Sequence, residues 1–302
     1  MNGDWAIGRL GDSAGGPDSR RVTRRGFLGA FTGGLFLAPI VQFSNRPIAQ
    51  SPNRPFPLGL QLYAVRDVIK ADLPGTLAAL AAMGYREVEL AGLYGRTAAE
   101  FRALLDAAGL KAPAGHVGIP ALTDEIEQTI ADAKTLGHRY LILPWIGEEY
   151  RSADGWKRGA ELLNRAGERC RAAGLTVGYH NHDFEFLPLP GAPGDCGYDA
   201  LLRHTDPTLV VFELDLFWIR KGTRDALAYF RQHSGRFRAV HVKDMAADGA
   251  MVDVGQGVMD WKTLLHAAHQ AGVEHFFAEH DEAKDQLAFA RTSAAYLHTL
   301  RL

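Results

Sequence analysis

The chain has 302 residues, of which 47% are hydrophobic and 23% charged, a composition typical of an ordinary globular protein. The formal net charge is −2; residues 1–49 hold six arginines and three acidic residues, which leaves 27 basic and 32 acidic groups after them. Nucleic-acid-binding proteins usually carry a basic surface, so this balance argues against a nucleic-acid partner. Two cysteines are too few for a disulfide framework.

Residues 1–50 are predicted to be a twin-arginine-type export signal with a disordered start. Arg24 and Arg25 precede Phe27 and a mostly apolar stretch from Gly29 to Val41. A basic region before a short apolar run indicates an export signal, and the paired arginines resemble the twin-arginine type. The run is shorter than the roughly 20 residues that cross a bilayer; an uncleaved membrane anchor is the alternative. We therefore expect a periplasmic location, reached through transient contact with the twin-arginine export machinery.

After a proline-rich linker, strand-like and helix-like segments alternate eight times. The predicted strands are Leu58–Tyr63, Glu87–Leu90, Ala112–Val117, Tyr140–Trp145, Leu175–His182, Leu209–Leu214, Phe237–Val242 and His275–Glu279. The predicted helices are Asp72–Met83, Ala98–Ala108, a helix capped by Thr123 and ending at Leu136, Gly155–Ala173, Asp199–His204, Thr223–His233, Trp261–Ala271 and Ala283–Leu300. Several of them end at a glycine, as helices with a left-handed C-cap do.

Eight strand–helix units predict an α/β protein in which residues 51–302 form a single (β/α)8 TIM barrel. The alternative is an open, doubly wound sheet. That fold usually has a glycine-rich phosphate turn after its first strand, and the segment from Leu62 to Asp67 contains no glycine. The segment from Asp248 to Gly257 is predicted to be an active-site loop, because it contains glycines and shows no periodicity.

Four segments of the C-terminal half end in side chains that bind metals: Tyr179–Glu185, Glu213–Asp215, His241–Asp244 and Ala278–Asp281. Residues i and i+2 of a strand share a face. This pairs His180 with His182, Glu213 with Asp215, His241 with Lys243, and Glu279 with Asp281. The interior of a barrel is mostly apolar, so such pairs at C-terminal strand ends are hard to explain by packing. They indicate a metal-dependent enzyme.

These segments, together with Gly59 to Asp67, Val88 to Gly92 and Gly255 to Gly257, resemble the sugar phosphate isomerase/epimerase family of the xylose isomerase-like TIM barrel superfamily. The resemblance covers about residues 57–302 and is more specific for the fold and the metal than for the substrate. Relatives include ketose 3-epimerases, inosose isomerases and dehydratases, dehydroshikimate dehydratases and abasic-site endonucleases. The resemblance implies one divalent metal ion, with manganese expected first and zinc, iron or magnesium as alternatives.

In that superfamily, a Glu, an Asp, a His and a second Glu hold the metal at the ends of strands five to eight. Asp215, His241 and Glu279 match the last three of these ligands. His180 stands where many relatives have the first Glu, so the fourth ligand is either His180 or Glu185 in the following loop. His180 is favoured because ligands at strand ends are held more rigidly than ligands in loops.

Five side chains are expected to bind the substrate: Gln61, Glu89, His116, His182 and Trp218. Glu89 could instead pair with Arg66, and His116 could make a structural hydrogen bond. Trp218, with Trp145 and Phe217 as further candidates, would wall a sugar pocket or cap the barrel mouth.

Glu185 or Glu279 is expected to act as the catalytic base. Lys243 is expected to stabilise an enolate oxygen, with an ion pair to Asp244 or Asp281 as the alternative. Glu213 is expected to orient a ligand.

The expected reaction is proton abstraction next to a carbonyl of a sugar, sugar derivative or cyclitol, followed by isomerisation or epimerisation. Elimination from a keto-sugar or keto-glycoside through the same enediolate would make the protein a lyase. The replacement of the strand-five Glu by His180 argues against a symmetrical two-Glu epimerase mechanism. Two rivals stay open: an exported sugar-binding barrel without activity, and a phosphodiester hydrolase, which the acidic balance disfavours. The sequence leaves the oligomeric state open.

Overall fold

Eight short parallel strands alternate with helices and close into a barrel, as the sequence predicts. The structure, a computed structural model, describes residues 57–190 and 192–301, and the predicted export signal lies outside these residues. Neighbouring strands follow the order 1-8-7-6-5-4-3-2 around the barrel. The strands are β1 (Gly59–Gln61), β2 (Glu87–Leu90), β3 (Lys111–His116), β4 (Tyr140–Leu143), β5 (Thr176–His180), β6 (Val210–Asp215), β7 (Phe237–Val242) and β8 (His275–Ala278).

Helices surround the barrel and are held at their ends by local hydrogen bonds. The α-helices are Arg66–Ala71, Leu73–Ala82, Ala98–Ala108, Ile119–Leu122, Ile126–Leu136, Ala153–Ala172, Gly197–His204, Leu216–Lys221, Ala226–Gln232, Trp261–Gln270 and Gln286–Leu297. The 3-10 helices are Leu62–Val65, Glu148–Tyr150 and Phe184–Phe186. At one helix start, Thr97 and Glu100 form a reciprocal capping box. None of the described helices has the length and apolar character needed to cross a bilayer.

The N-terminal part of the barrel interior is filled by apolar side chains. One buried cluster contains Ala114, Tyr140, Ile142, Val211, Ala239 and Phe277. Two glycines make room for it: a Cβ at Gly59 would lie 2.6 Å from a Phe277 ring carbon, and one at Gly178 would lie 2.4 Å from Ile142 Cδ1. Because side chains alternate along a strand, the next inward positions toward the C-terminal ends are two residues further on. After Ala114, Val211, Ala239 and Phe277 those positions are polar, so the site lies on top of this apolar layer.

Several short elements were not predicted from the sequence. A hairpin pairs Pro188–Leu189 with Ala192–Cys196, and another pairs Asp244–Met245 with Met251–Val252. The second hairpin lies at the start of the loop predicted from Asp248 to Gly257. Three of these four strands have two residues, too few to leave a periodic pattern, and the fourth, Ala192–Cys196, contains a proline and a glycine, which are rare inside strands.

The predicted capping role of Thr123 is wrong. The helix starts at Ile126 instead, and a separate short helix, Ile119–Leu122, precedes it. Pro120 lies in the first turn of that short helix, where its fixed φ is compatible with helix. The Thr123 hydroxyl donates to the Ile119 carbonyl at 3.0 Å, so it closes the short helix rather than opening the longer one.

Candidate metal centre

Polar side chains gather at the C-terminal ends of the barrel strands, directly above the apolar layer. On β6, for example, Val211 belongs to the apolar cluster, and Glu213 and Asp215 follow at the next two inward positions. All of these polar residues are buried. They are Gln61 on β1, Glu89 on β2, His116 on β3, His180 on β5, Glu213 and Asp215 on β6, His241 on β7, and Lys243 and Glu279 just beyond β7 and β8.

The four predicted metal ligands lie close together at this end. Asp215, His241 and Glu279 each offer one ligand atom within 4.8 Å of the others. His241 Nδ1 lies 2.7 Å from Glu279 Oε2 and 3.8 Å from Asp215 Oδ2. His180 Nε2 lies 4.0 Å from Asp215 Oδ2. Two imidazoles and two carboxylates therefore surround one region of the barrel mouth.

The arrangement of these atoms fits a divalent cation. Asp215 Oδ2 and His241 Nδ1 are buried and have ionic contacts, but neither has a hydrogen-bond partner within the described residues. Buried polar atoms rarely stay without such partners, and a cation between them would satisfy both. A mixed set of imidazole and carboxylate ligands suits manganese, iron or zinc.

The structure places Glu185 apart from this cluster, although the sequence left it open as a ligand. Its Oε1 accepts a hydrogen bond from the Tyr179 hydroxyl at 2.7 Å, and its Oε2 accepts one from the His182 backbone N–H at 2.9 Å. Both carboxyl oxygens are therefore engaged, one by β5 and the other by the segment that follows it. The side chain is fully buried. Of the two candidates for the fourth ligand, His180 is the one beside Asp215, at 4.0 Å, and beside the His241 ring, at 4.4 Å between centroids.

A second buried group lies beneath the metal ligands and contacts them. Glu213 Oε2 lies 3.0 Å from His116 Nε2, 3.1 Å from His241 Nε2 and 3.3 Å from His180 Nδ1. Glu89 Oε2 lies 2.7 Å from His241 Nε2 and 3.2 Å from His116 Nε2. Glu213 thus contacts two of the predicted ligands, His241 and His180.

Gln61 and Glu89 lie on the floor of the site rather than at its opening. Both are fully buried, and the Gln61 amide donates to Glu89 Oε2 at 2.7 Å. Arg66 does not pair with Glu89; its guanidinium donates to the backbone carbonyls of Tyr63 and Asp281. His116 differs from them, because its Nδ1 is buried without a hydrogen-bond partner in the described chain.

Lys243 is enclosed by three carboxylates. Its Nζ lies 3.0 Å from Asp215 Oδ2, 2.9 Å from Glu279 Oε2 and 2.9 Å from Asp281 Oδ1. Of the two ion-pair partners considered from the sequence, the structure shows Asp281. Asp244 instead accepts hydrogen bonds from the loop that follows it. A fully buried ammonium therefore lies beside two of the candidate metal ligands.

An aromatic wall leads from the cluster toward the rim. The His182 ring lies 5.0 Å from the Trp145 ring and 5.5 Å from the Trp218 ring, measured between centroids. Phe217 is buried behind Trp218. His182 Nδ1 and Trp218 Nε1 are buried and lack hydrogen-bond partners among the described residues. Two predicted substrate residues, His182 and Trp218, thus lie side by side, and each has a ring nitrogen that could hydrogen-bond to a substrate.

The electrostatic field of the cluster favours positive charge. Burial lowers the pKa of His116, but Glu89 and Glu213 outweigh it and raise the pKa to about 9. Burial opposes the protonated form of His241 as well, and Glu213 and Glu279 raise its pKa well above the usual value. By contrast, burial and the neighbouring His241 lower the pKa of His180 to about 3, which leaves a neutral imidazole. Carboxylates that hold protons on buried imidazoles would also attract a cation.

Sequence reasoning missed three contributors. Asn181 Oδ1 accepts a hydrogen bond from the Asp215 backbone N–H at 3.0 Å and so joins β5 to β6. The Tyr179 hydroxyl donates a hydrogen bond to Glu185 Oε1 at 2.7 Å. The Arg151 guanidinium stacks over Phe184, 3.6 Å from the ring centroid. Each contact joins residues whose side chains show no shared pattern, so only Asn181, which lies between two predicted site histidines, carried a signal in the sequence.

Comparison with known proteins agrees with this architecture. Residues 77–298 match the family model described as xylose isomerase-like TIM barrel. The chain is 26% identical over 166 residues to inosose dehydratase of Lacticaseibacillus casei, and the match covers 48% of this chain and 54% of that protein. The chain therefore spans about half the length of the curated relatives it matches.

Solved structures show the same barrel. A sugar phosphate isomerase/epimerase from Parabacteroides distasonis is 26% identical, with a TM-score of 0.72, over 83% of this chain and 95% of that chain. The protein IolI, solved with a bound zinc atom, is 14% identical, with a TM-score of 0.62, over 81% of this chain and 98% of that chain. The second similarity concerns the fold alone. The resemblance inferred from the sequence is confirmed.

Proposed function

We propose, because the chain belongs to the xylose isomerase-like TIM barrel family, that it is a metal-dependent enzyme that removes a proton next to the carbonyl of a sugar-like substrate. The observation that carries this proposal is that Asp215, His241 and Glu279 bring their ligand atoms together at one end of the barrel, with His180 Nε2 4.0 Å from Asp215 Oδ2. Two of these atoms, Asp215 Oδ2 and His241 Nδ1, have no hydrogen-bond partner in the described part of the chain.

Those four residues would hold the cation, with manganese, iron or zinc suited to them and magnesium as a further candidate. A divalent cation bound there would act as a Lewis acid that polarises a carbonyl and so acidifies the neighbouring C–H. The residues around it would position the substrate and exclude water, since the whole cluster is buried beneath the rim.

Glu279 and Lys243 are the residues that we assign to proton movement. The Glu279 carboxylate would take the proton from the carbon, because it is ionised: burial opposes its charge, but Lys243 Nζ at 2.9 Å and His241 hold its pKa well below the usual value. The Lys243 ammonium would then stabilise the oxyanion of the enediolate by charge and hydrogen bonding. Glu185, the other base considered, is bonded to Tyr179 and to the His182 backbone.

Reprotonation of the enediolate on carbon would complete an isomerisation or epimerisation. Expulsion of a β-hydroxyl or β-alkoxyl group would instead make the protein a dehydratase or lyase. The similarity to inosose dehydratase favours this second outcome, and the similarity to a sugar phosphate isomerase/epimerase favours the first. The substrate class we propose for both is an unphosphorylated keto-sugar, sugar derivative or cyclitol, bound at the rim by His116, His182 and Trp218.

Export to the periplasm is also proposed, on the sequence of residues 1–50 alone. It would be tested by cell fractionation of the protein beside a variant carrying Arg24→Lys and Arg25→Lys. Retention of the variant in the cytoplasm, with the unaltered protein in the periplasm, is the expected result. An equal distribution of both proteins would contradict it.

The metal proposal is tested by elemental mass spectrometry on purified protein. About one divalent metal ion per chain is expected, lost in Asp215→Ala and His180→Ala and kept in the matched control Glu185→Gln. Activity is tested in D2O with keto-sugars and inososes. Deuterium incorporation next to the carbonyl indicates proton abstraction, and an enone absorbance adds evidence of elimination. A protein that holds no metal but still binds these sugars would be a binding barrel rather than an enzyme.

A further inference from the structure

Beneath the proposed metal site, a line of buried hydrogen bonds runs from the backbone of the first βα loop to His241. Gln61, Glu89 and His241 belong to β1, β2 and β7, and none of the three is exposed. Gln61 and Glu89 are direct neighbours in the pairing of β1 with β2. From the chemistry of these bonds we infer that Gln61 and Glu89 fix the tautomer of His241, so that its Nδ1 faces the metal. This inference rests on the proposed metal site.

The first step is the orientation of the Gln61 amide. The backbone N–H of Tyr63 lies 3.0 Å from Gln61 Oε1 and donates to it. A backbone N–H requires an acceptor, so the oxygen of this amide must point toward Tyr63. The amide nitrogen therefore points the other way, and it donates to Glu89 Oε2 at 2.7 Å.

The second step is the acceptor role of Glu89. Its Oε2 receives the Gln61 N–H and also lies 2.7 Å from His241 Nε2. Glu213 Oε2 lies 3.1 Å from the same nitrogen. A proton on Nε2 satisfies two carboxylate oxygens at once. A bare lone pair on Nε2 would face both of them unfavourably.

The third step follows from the chemistry of imidazole. When a bound cation displaces one proton from His241, the neutral ring keeps one N–H, and a proton kept on Nε2 leaves the lone pair on Nδ1. His241 Nδ1 lies on the side of Asp215 and Glu279. Metal-binding histidines usually donate their other N–H to a carboxylate, and loss of that partner commonly costs 10- to 100-fold, roughly, in metal affinity. Gln61 and Glu89 are therefore positioning residues rather than groups that contact the substrate.

The tautomer of His241 also decides between two overlapping groups of side chains that could bind a metal. One consists of Asp215, His241 and Glu279, and the other of His116, His180, Glu213 and His241. His241 would have to serve the second group through Nε2. If Nε2 carries the proton, His241 cannot bind a metal in the second group, and Glu213 instead accepts a hydrogen bond from this nitrogen.

The test uses the full chain labelled with ¹⁵N-histidine and loaded with ¹¹³Cd²⁺, in which NMR coupling identifies the nitrogen bound to the metal. Coupling of cadmium to His241 Nδ1, with a proton on Nε2, is the expected result. Coupling to Nε2 would overturn the inference and leave the metal site intact. A protein that binds no cadmium would overturn the metal site, and the inference with it.

Variants supply the second measurement, which is cadmium affinity in competition with a chelator. Glu89→Leu is expected to lose roughly 10- to 100-fold in affinity, and Gln61→Leu is expected to lose less. Glu89→Gln should recover part of the loss, because its amide oxygen can still accept both hydrogen bonds.

Gln286→Leu is the matched control: this buried amide bonds to Asp67 and Val68 rather than to Glu89 or His241, so unchanged affinity is expected. Wild-type affinity in a folded Glu89→Leu protein would contradict the positioning role. If that variant does not fold, the NMR result and Gln61→Leu still decide the question.

Discussion

Glu185 illustrates, at the scale of single residues, that burial and partners decide the chemistry of a carboxyl group. From the sequence it was a candidate base and a candidate ligand. In the structure its two oxygens are bonded to the Tyr179 hydroxyl and the His182 N–H, and the side chain is fully buried. Burial is the largest cause that raises its pKa from 4.5 to about 8. Ionisation of this buried carboxyl at high pH therefore destabilises the folded state.

Replacement of Glu185 by Gln should change how stability depends on pH. A pKa that is higher in the folded state than in the unfolded chain gives stability that is present at low pH and lost as the pH rises from about 4.5 to about 8. Over that window the wild type should lose about 5 kcal/mol relative to Glu185→Gln, at ~1.4 kcal/mol per pKa unit. Urea unfolding of both proteins at pH 5 and pH 9 measures this difference. Parallel pH profiles would contradict it.

Lys243 should oppose metal binding while it supports catalysis. Its ammonium lies 3.0 Å from Asp215 Oδ2 and 2.9 Å from Glu279 Oε2, so it repels a cation held by the same carboxylates. Lys243→Met is expected to bind metal more tightly and to lose roughly 100-fold or more in turnover, the size typical of a lost oxyanion donor. Metal affinity and kcat are measured on the same preparations.

The matched control for that variant is Lys221→Met. Lys221 is exposed, and its Nζ lies over the Trp218 ring at 4.7 Å from the centroid. It should leave metal affinity unchanged. A Lys243→Met protein with weaker metal binding would show that the ammonium supports the ligands instead of competing with the cation.

At the scale of elements, the strands were predictable and the loops were not. Alternation along each strand correctly paired Glu213 with Asp215 and His241 with Lys243 on one face, because a period of two survives even in short strands. The same local rule could not reveal that the Glu185 side chain is turned toward Tyr179. Nor could it show what holds the loop after β7, because the N–H groups of that loop donate to one buried carboxylate.

That carboxylate is Asp244, which holds the loop in place. It accepts hydrogen bonds from the backbone N–H groups of Met245, Gly255, Gly257 and Met259 and from the Trp261 indole. A Cβ at Gly257 would lie 2.2 Å from Asp244 Oδ1, so the backbone approaches as closely as glycine allows. The loop also reaches the site, because Met251 Sδ accepts a hydrogen bond from the Asp281 N–H.

Asp244→Asn should therefore loosen the loop from Met245 to Met259. An amide has one acceptor oxygen where the carboxylate has two, so several buried N–H groups would lose their partner, at a cost of about 2–4 kcal/mol. Hydrogen exchange is expected to accelerate in this loop more than in the barrel strands. Asp248→Asn is the control, because exposed Asp248 caps only Ala250 in the same loop. Equal exchange in the two variants would show that Asp244 does not organise the loop.

At the scale of the whole molecule, the candidate ligands all come from one half of the barrel. His180, Asp215, His241 and Glu279 come from β5 to β8, which are consecutive in the closed sheet. Without a cation, the carboxylates and imidazoles of this cluster face one another through ion pairs, which cost desolvation when buried. A cation bound by all four side chains would connect the ends of these four strands.

Metal binding should consequently stabilise the fold, and Asp215 should be required for it. A ligand at 100 times its dissociation constant adds about 2.7 kcal/mol when it binds only the folded state, which corresponds to roughly 5–10 °C in Tm for a domain of this size. Thermal unfolding of chelator-treated protein, before and after manganese or zinc is restored, measures the shift. Asp215→Ala should show none, whereas Asp154→Ala, at an exposed helical position, should respond like the wild type. An equal shift in Asp215→Ala would mean that the stabilising metal binds elsewhere, and no shift in the wild type would remove the cation from this end of the barrel.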